Sequence, residues 1–501
     1  MTARRYHDLT KHRRGRRLGG RMDPANRPLP FKVYRDVPLL AFPESWDSLA
    51  QPATVALAAA DPGPPGRWPH TRRQPSRADV ERVCHFSNGV LRWRKAPWLP
   101  GGRMAFRAAP CTGALYHIEL YLACADLEGL PAGLYHYCAR DSGFRCLRRG
   151  DWRAVLVEAA AGEKATVEAP AVLIMTSTFW RNAWKYGARA YRHTYWDGGV
   201  IVANALAVAH ALELPAKIVI GFVDAAVNQL IDVDPDREAA IALVTLGEGA
   251  SAPQAPAGPP ERIGLATDPL SAYEERFDAI PAAQAATSLT NDREVRAWRR
   301  AAQAAAPADH QLTSSRGRGD PSIEEAIIRR RSTRSFTAEP ITRAQLLELL
   351  ACALAPIPSD AGIGPGTVHI AASAVEGMDP GTYLVEGSGL TLTRTWPERD
   401  IRAAVMRMSL DQELAAEASV NVAFLADLDG VLDRLGDRGW RAVHMGAAIA
   451  AGRLEVAAHA LGLGATGLTF FDDEVAELFG LDGARTGVCY LAAVGVPARP
   501  R

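Results

Sequence analysis

This chain of 501 residues carries almost no excess of either charge: 57 Lys and Arg stand against 56 Asp and Glu, a formal net charge of +1. Without a cationic surplus, nucleic-acid binding is not an expected role. Lysine is scarce, found only at positions 11, 32, 95, 164, 185 and 217, so nearly all the cations are arginines that keep their proton. The seven cysteines, at 84, 111, 124, 138, 146, 352 and 489, include no CxxC pair and no zinc-like spacing, which predicts reduced thiols and no metal. A long apolar run is also missing. The best stretch, Val200 to Val223, is broken by Asn204, His210, Glu213, Pro215 and Lys217, too many polar groups for a membrane span. The Arg-rich segment Met1 to Arg21 is not followed by the apolar core of a signal peptide. A soluble, cytoplasmic protein without a membrane or nucleic-acid partner is expected.

What is present is a globular composition, 48% hydrophobic and 23% charged, with length for three domains or two large ones. An internal duplication favours two. Gly133 and Tyr135 match Gly381 and Tyr383 at a shift of 248 residues. Gly187, Arg189 and Arg192 match Gly436, Arg438 and Arg441 at 249, as His210 and Leu212 match His459 and Leu461. Gly247 and Gly495 close the two copies at 248. Ala- and Arg-rich sequence aligns with itself by chance to some degree, but here the order of elements repeats as well. Each copy reads as a helix (Arg77 to Val90; Arg343 to Ala353) followed, in the first copy, by strands near Ile118 to Cys124 and Ala171 to Thr176. A long amphipathic helix comes next (Asp197 to Leu212; Gly446 to Leu461), and then closing strands.

The Pro- and Gly-rich stretch Gly249 to Gly264 reads as an exposed linker, followed by a helix over Asp292 to Ala306 and the polar run SSRGRGD. The expected organisation is an N-terminal extension (1–74), a first domain (75–248), a linker with a helix (249–319) and a second domain (320–501).

The sharpest local signal is IEEAIIRRRSTRSF, Ile323 to Phe336. Arg330, Arg331, Ser332 and Arg334 gather guanidinium forks and a hydroxyl at a helix-to-loop transition, a donor set suited to phosphate. The bland alternative is a solvated basic face. Lys185 is one of few side chains here able to act as a base, provided that burial and neighbours such as Arg181 or Arg189 lower its pKa. Gly462, Gly464 and Gly467 satisfy GxGxxG literally, yet they follow a helix and precede a strand, so no dinucleotide-binding turn is expected. His210 and His459 read as packed core histidines, and Asp472 and Asp473 as caps of the next helix.

The Arg segment resembles the RRSxRxF phosphate-binding stretch of the nitroreductase-like FMN flavoprotein family, matched by Arg330, Arg331, Ser332, Arg334 and Phe336. FRAAPCTGALYHIELYL, Phe106 to Leu122, is similar to that family's RxxPSxGALxPxE segment, with Cys111 in place of the usual Ser. YHDLTKH, FKVY and NAWKYGARAYR (Asn182 to Arg192) resemble the SagB/ThcOx group of dehydrogenases, in which a Lys-Tyr pair, here Lys185 and Tyr186, is taken as catalytic. The resemblance implies an α+β fold of two tandem nitroreductase-like domains, each a mixed, mainly antiparallel sheet flanked by helices, joined as an intramolecular pseudo-dimer. It implies FMN, held by the Arg segment of the second copy and by Arg107, Pro110, Cys111, Thr112 and Gly113 of the first, with a single intact site. The implied activity is oxidation of an azoline-type heterocycle or similar C–N or C–C bond in a small molecule or peptide, alongside a cyclodehydratase or synthetase partner. The alternatives are an NAD(P)H-dependent nitro or quinone reductase and a flavin-free peptide- or partner-binding module.

Overall fold

The computed structural model describes residues 1–16, 18–58, 74–97, 99, 101–254, 258–305, 312 and 319–498. Fifteen strands are present among them. In the first half these are β1 (Leu39–Ala41), β2 (Val90–Lys95), β3 (Arg103–Arg107), β4 (Ile118–Cys124), β5 (Gly133–Cys138), β6 (Gly143–Arg149), β7 (Ala171–Thr178), β8 (Ala216–Val219) and β9 (Glu238–Leu246). The second half holds β10 (Thr367–Ala372), β11 (Gly381–Glu386), β12 (Gly389–Thr395), β13 (Val420–Asp427), β14 (Gly464–Gly467) and β15 (Thr486–Gly495).

They build two sheets of matching order, β6-β5-β4-β7-β9-β8 and β12-β11-β10-β13-β15-β14, so the duplication read from sequence is a duplication of topology. The first sheet gains β1 from the N-terminal extension as an edge strand, and β2 and β3 form a separate ribbon with no counterpart in the second copy. Parallel pairing, expected as a minor part of each sheet, is confined to isolated bridges, and the described strand pairs are all antiparallel. Central strands such as β4, β7 and β9 are buried along their whole length, as continuous Val, Ile, Leu and Ala runs require.

The first helix of each copy, Arg77–Asn88 and Arg343–Leu354, starts with a reciprocal capping box, Ser76 with Asp79 and Thr342 with Gln345. The long helices span Ala190–Ala211 and Arg438–Ala460, several residues earlier than the sequence reading placed them. Polar residues at their starts masked the helical run, because those residues are buried by ion pairs rather than by apolar contacts. The two long helices cross at glycines. A Cβ on Gly199 would sit 2.5 Å from the Ala448 Cβ, and one on Gly452 would sit 2.9 Å from the Ala203 Cβ. At Gly446 the added carbon would lie 2.0 Å from the carbonyl oxygen of Gly364, rigid backbone that cannot swing aside. Gly446→Ala is therefore expected to cost at least about 1–3 kcal/mol of stability, read as a lowered urea midpoint.

Two buried ion-pair sets tie the halves together with pseudo-twofold symmetry. Asp472 of the second copy receives Arg189 and Arg192 of the first, and Asp224 of the first receives Arg438 and Arg441 of the second. All six residues are at most 3% exposed. Asp472 was expected to cap a helix. It is instead the first residue of Asp472–Leu478, makes no cap, and spends its carboxylate on the two arginines and the His12 N–H. Asp473 pairs with Lys11 and Arg13.

The N-terminal extension is a staple across both halves. Tyr6, on the helix Ala3–Leu9, is fully buried, donates its hydroxyl to the Ala188 carbonyl, and packs edge-on against Tyr191 and Trp440. The helix expected over Asp292 to Ala306 spans Asp292–Ala304, and a further one, Ala279–Ala286, precedes it. Downstream of the Gly249–Gly264 stretch, Ala266, Asp268 and Leu270 hydrogen-bond to Arg35, Val33 and Leu29, so the chain between the copies is anchored on the extension. The SSRGRGD run lies largely outside the described residues.

Candidate active site

Residues 108–116 pass from β3 toward β4 as a strained loop. Gly113, Ala114 and Tyr116 take φ values of 68°, 53° and 46°, and for the two non-glycines this costs about 1–3 kcal/mol each. One carboxylate holds the loop in place. Asp197, on the first long helix and 6% exposed, accepts hydrogen bonds from the Thr112 N–H, the Thr112 hydroxyl (2.8 Å) and the Cys111 thiol (3.0 Å). The His117 Nε2 lies 2.8 Å from the same carboxylate, and its Nδ1 is 2.8 Å from the Ser177 hydroxyl. Cys111, His117 and Asp197 thus bring ligand-type atoms within 4.8 Å of one another, a convergence their mutual hydrogen bonds account for. Burial and the Asp197 charge push the Cys111 thiol well above its ordinary pKa, so it stays a protonated donor. The weaker donor that replaces Ser is still used.

Lys185 and Tyr186 end the short helix Phe179–Tyr186 beside this loop. A Cβ on Gly113 would lie 2.9 Å from the Tyr186 hydroxyl, so glycine is what lets the phenol approach. Burial and then the Asp197 charge raise the Tyr186 pKa. Lys185 is partly exposed, has no carboxylate partner among the described residues, and is lowered in pKa by burial and then by Arg27 and Arg334. The expected neighbours are otherwise engaged: Arg181 pairs with Glu119, and Arg189 with Asp472. The repelling charges come from the N-terminal extension and the second copy.

The second copy brings the Arg segment to the same place. Arg330 is buried and donates to the carbonyls of Ala108 and Arg107, holding the strained loop from across the domain boundary. Arg331 is exposed and donates to the Ile328 and Arg330 carbonyls; burial of its guanidinium, then Arg92, Arg330 and Arg94, lower it to about 10. Ser332 bridges to Ala465 on β14. Arg334 is exposed and unpaired among the described residues. The literal GxGxxG run serves as a backing for this segment. A Cβ on Gly464 would strike the Thr333 hydroxyl at 2.4 Å, and Thr333 N–H donates to the Ala465 carbonyl. His459, read as a core histidine, accepts the Arg331 N–H at its Nε2 (3.0 Å) and so caps the segment.

Of the other expected residues, Pro110 is half-buried in the loop and Arg107 turns away. The Arg107 guanidinium donates to Asn88 and to the Pro30 carbonyl, between the rings of Phe31 and Tyr116. It fastens the extension to the loop.

A model of the nitroreductase family matches residues 72–248 and 327–496, which cover most of both copies. The chain belongs to the nitroreductase family. A nitroreductase-type structure from Anabaena variabilis shares the fold over 99% of both chains, at 24% identity and a TM-score of 0.76. A nitroreductase-type protein of Methanocaldococcus jannaschii is 26% identical over 128 residues, 26% of this chain and 65% of that one, so the match spans less than two thirds of that relative. The Escherichia coli microcin synthetase complex matches 43% of this chain and 80% of its own at 18% identity, with a TM-score of 0.31. No helix among the described residues is long and apolar enough to cross a membrane.

Among the residues gathered at this candidate site, sequence reasoning missed Asp197, His117, Glu455 and Tyr490. Glu455, on the second long helix and 1% exposed, lies 3.4 Å from the Tyr490 hydroxyl through one oxygen and leaves the other without a partner. A carboxylate inside an apolar helical run was the available signal for both acids.

Proposed function

We propose that the chain is an FMN-dependent oxidoreductase of the SagB/ThcOx-like dehydrogenase kind, oxidising an azoline-type heterocycle or similar C–N or C–C single bond in a peptide or natural-product substrate. The observation that carries this reading is Lys185, a partly buried amine without a counter-ion among the described residues and flanked by Arg27 and Arg334. Such an environment favours the neutral amine, which can take a proton from carbon as the bond becomes double. Tyr186, kept protonated by burial, presents its hydroxyl beside Gly113 as a donor that would orient the reacting group.

The donors fit FMN. Ser332 and the unpaired Arg334 suit its phosphate and anionic edge, and the Cys111-Thr112-Gly113 turn, held by Asp197, offers a fixed backbone beside its ring. The orphaned Glu455 oxygen is a further buried polar group that a ligand could satisfy. Hydride acceptance is the chemistry that FMN supplies when bound. One site per chain is favoured by what stands at the symmetry-related place. Gly446 occupies the position of Asp197, and the loop there lies against its backbone. Asp360 of that loop is fully buried and bonded to the Ile220 and Gly221 N–H groups and to Arg299. About one flavin per chain is expected, and a ratio near two would refute the single site.

Lys185→Ala with flavin retained is expected to lower turnover by about 10²–10⁴. Lys185→Arg should not restore it, because arginine keeps its proton. Since the neutral amine is the working form, wild-type turnover should rise with pH to a plateau, with a midpoint below the ~10.4 of free lysine. Unchanged turnover in Lys185→Ala would remove the residue from the mechanism. Fast flavin bleaching by NADPH with nitroaromatic reduction indifferent to Lys185 would favour the reductase reading. A colourless protein that cannot be reconstituted with FMN would favour the binding module.

A further inference from the structure

Next to the strained loop lies a cavity of about 270 Å³. Its volume is just below the ~300–1,000 Å³ usual for small-molecule sites, room for one or two fused rings rather than a folded peptide. Three separate segments wall it: Leu29 and Phe31 of the N-terminal extension, Trp93 and Met104 of the β2–β3 ribbon, and Ala114 and Tyr116 of the loop. Leu29 and Trp93 are 38% and 39% exposed, among the few large apolar side chains left open to water among the described residues. Ribbon and extension are the parts without a copy in the second half, so the cavity is peculiar to the half that carries Lys185 and Tyr186.

The charge of the cavity is one-sided. Arg27 and Arg103 line it, and neither has a carboxylate partner among the described residues. The one acid on its wall, Asp268, is already shared between Arg35 and Arg140. Arg103 stacks 4.3 Å over the Trp93 ring, while Arg27 sits 5.7 Å from the Trp184 ring, within electrostatic reach of Lys185. An aromatic-lined cavity rimmed by two unpaired guanidinium groups matches an apolar ring bearing a carboxylate.

We infer that this cavity binds a planar, apolar carboxylate, with Arg27 as the group that recognises the acid and the Phe31–Trp93–Tyr116 walls holding the ring. That this ligand is the substrate rests on the function proposed above; the pocket and its charge preference do not. The strained backbone at Ala114 and Tyr116 would then present the ring beside Gly113 and Tyr186.

The test is isothermal titration of the full-length protein as purified with 2-naphthoate and with 2-naphthamide, similar in shape and different in charge. Naphthoate is expected to bind at least tenfold more tightly than the amide. Arg27→Gln should erase that preference, Arg27→Lys should keep most of it, and Arg103→Gln, on the exposed rim, should reduce it even if Arg27→Gln fails to fold. Equal binding of acid and amide by the wild type overturns the inference, as does a preference unchanged in Arg27→Gln or, should that variant not fold, in Arg103→Gln. Lys185→Ala should retain the preference. If it does while turnover proves independent of Lys185, the catalytic reading falls and the pocket stands.

Discussion

Asp472→Ala is expected to destabilise the protein by about 3–5 kcal/mol, because it leaves Arg189 and Arg192, both fully buried, without their counter-ion. Burial alone would raise this carboxyl, but the two arginines bring it down to about 2, so it is ionised throughout the neutral range. Asp224→Ala should cost a similar amount through Arg438 and Arg441, its mirror in the other half. Glu325→Ala, which removes an exposed partner of Arg329, should change stability by no more than about 1 kcal/mol. Urea unfolding followed by circular dichroism separates these cases. A loss below about 1 kcal/mol for Asp472→Ala would mean that the triad is not what joins the halves.

Acidification from pH 6.5 toward about 5 is expected to destabilise the protein before carboxylates of ordinary pKa are titrated. Eight histidines, at 7, 85, 136, 193, 210, 369, 444 and 459, are lowered in pKa, in each case chiefly by burial. His7 and His444 lie at the domain boundary and accept the indole N–H groups of Trp440 and Trp196 at Nδ1, so protonation there breaks both bonds. With native values below the ~6.5 of the unfolded chain, it is the unfolded state that gains protons first. Stability falls as pH drops below about 6.5, by about 1.4 kcal/mol per histidine per pH unit until the native group also titrates. Glu81, Asp360 and Glu455, raised by burial, pull the other way but are outnumbered. Melting temperature against pH, with tryptophan emission as the probe, is the measurement; a flat profile from pH 7 to 5 would contradict this.

The periodic features were legible in sequence because they repeat locally: the register of the copies, β4 and β7, the capped helices, and the Arg segment. Pairings over long separations were not. Arg189 and Asp472 stand 283 residues apart, and nothing in DDEVAEL distinguishes a capping acid from the centre of a buried triad. Asp197 stands where the apolar periodicity begins and so reads as a helix start, whereas it lies inside the helix Ala190–Ala211 and anchors Cys111 and Thr112. His459 and Gly464 looked like packing and decoy because their partner, the Arg segment, arrives from over 120 residues upstream. Lys185 and Tyr186 stood out by resemblance, but the charges that tune the lysine, Arg27 and Arg334, come from outside its own domain.

The bridge from Arg330 to the carbonyls of Arg107 and Ala108 removes mass action from the assembly of the site. When two chains must meet, dilution empties the interface; when both faces share one backbone, the neighbour stays at a fixed, high effective concentration. Mutation acts differently too. In a symmetric dimer each altered codon strikes both interfaces at once, whereas here a change at Arg330 or at Asp197 touches one side of one site.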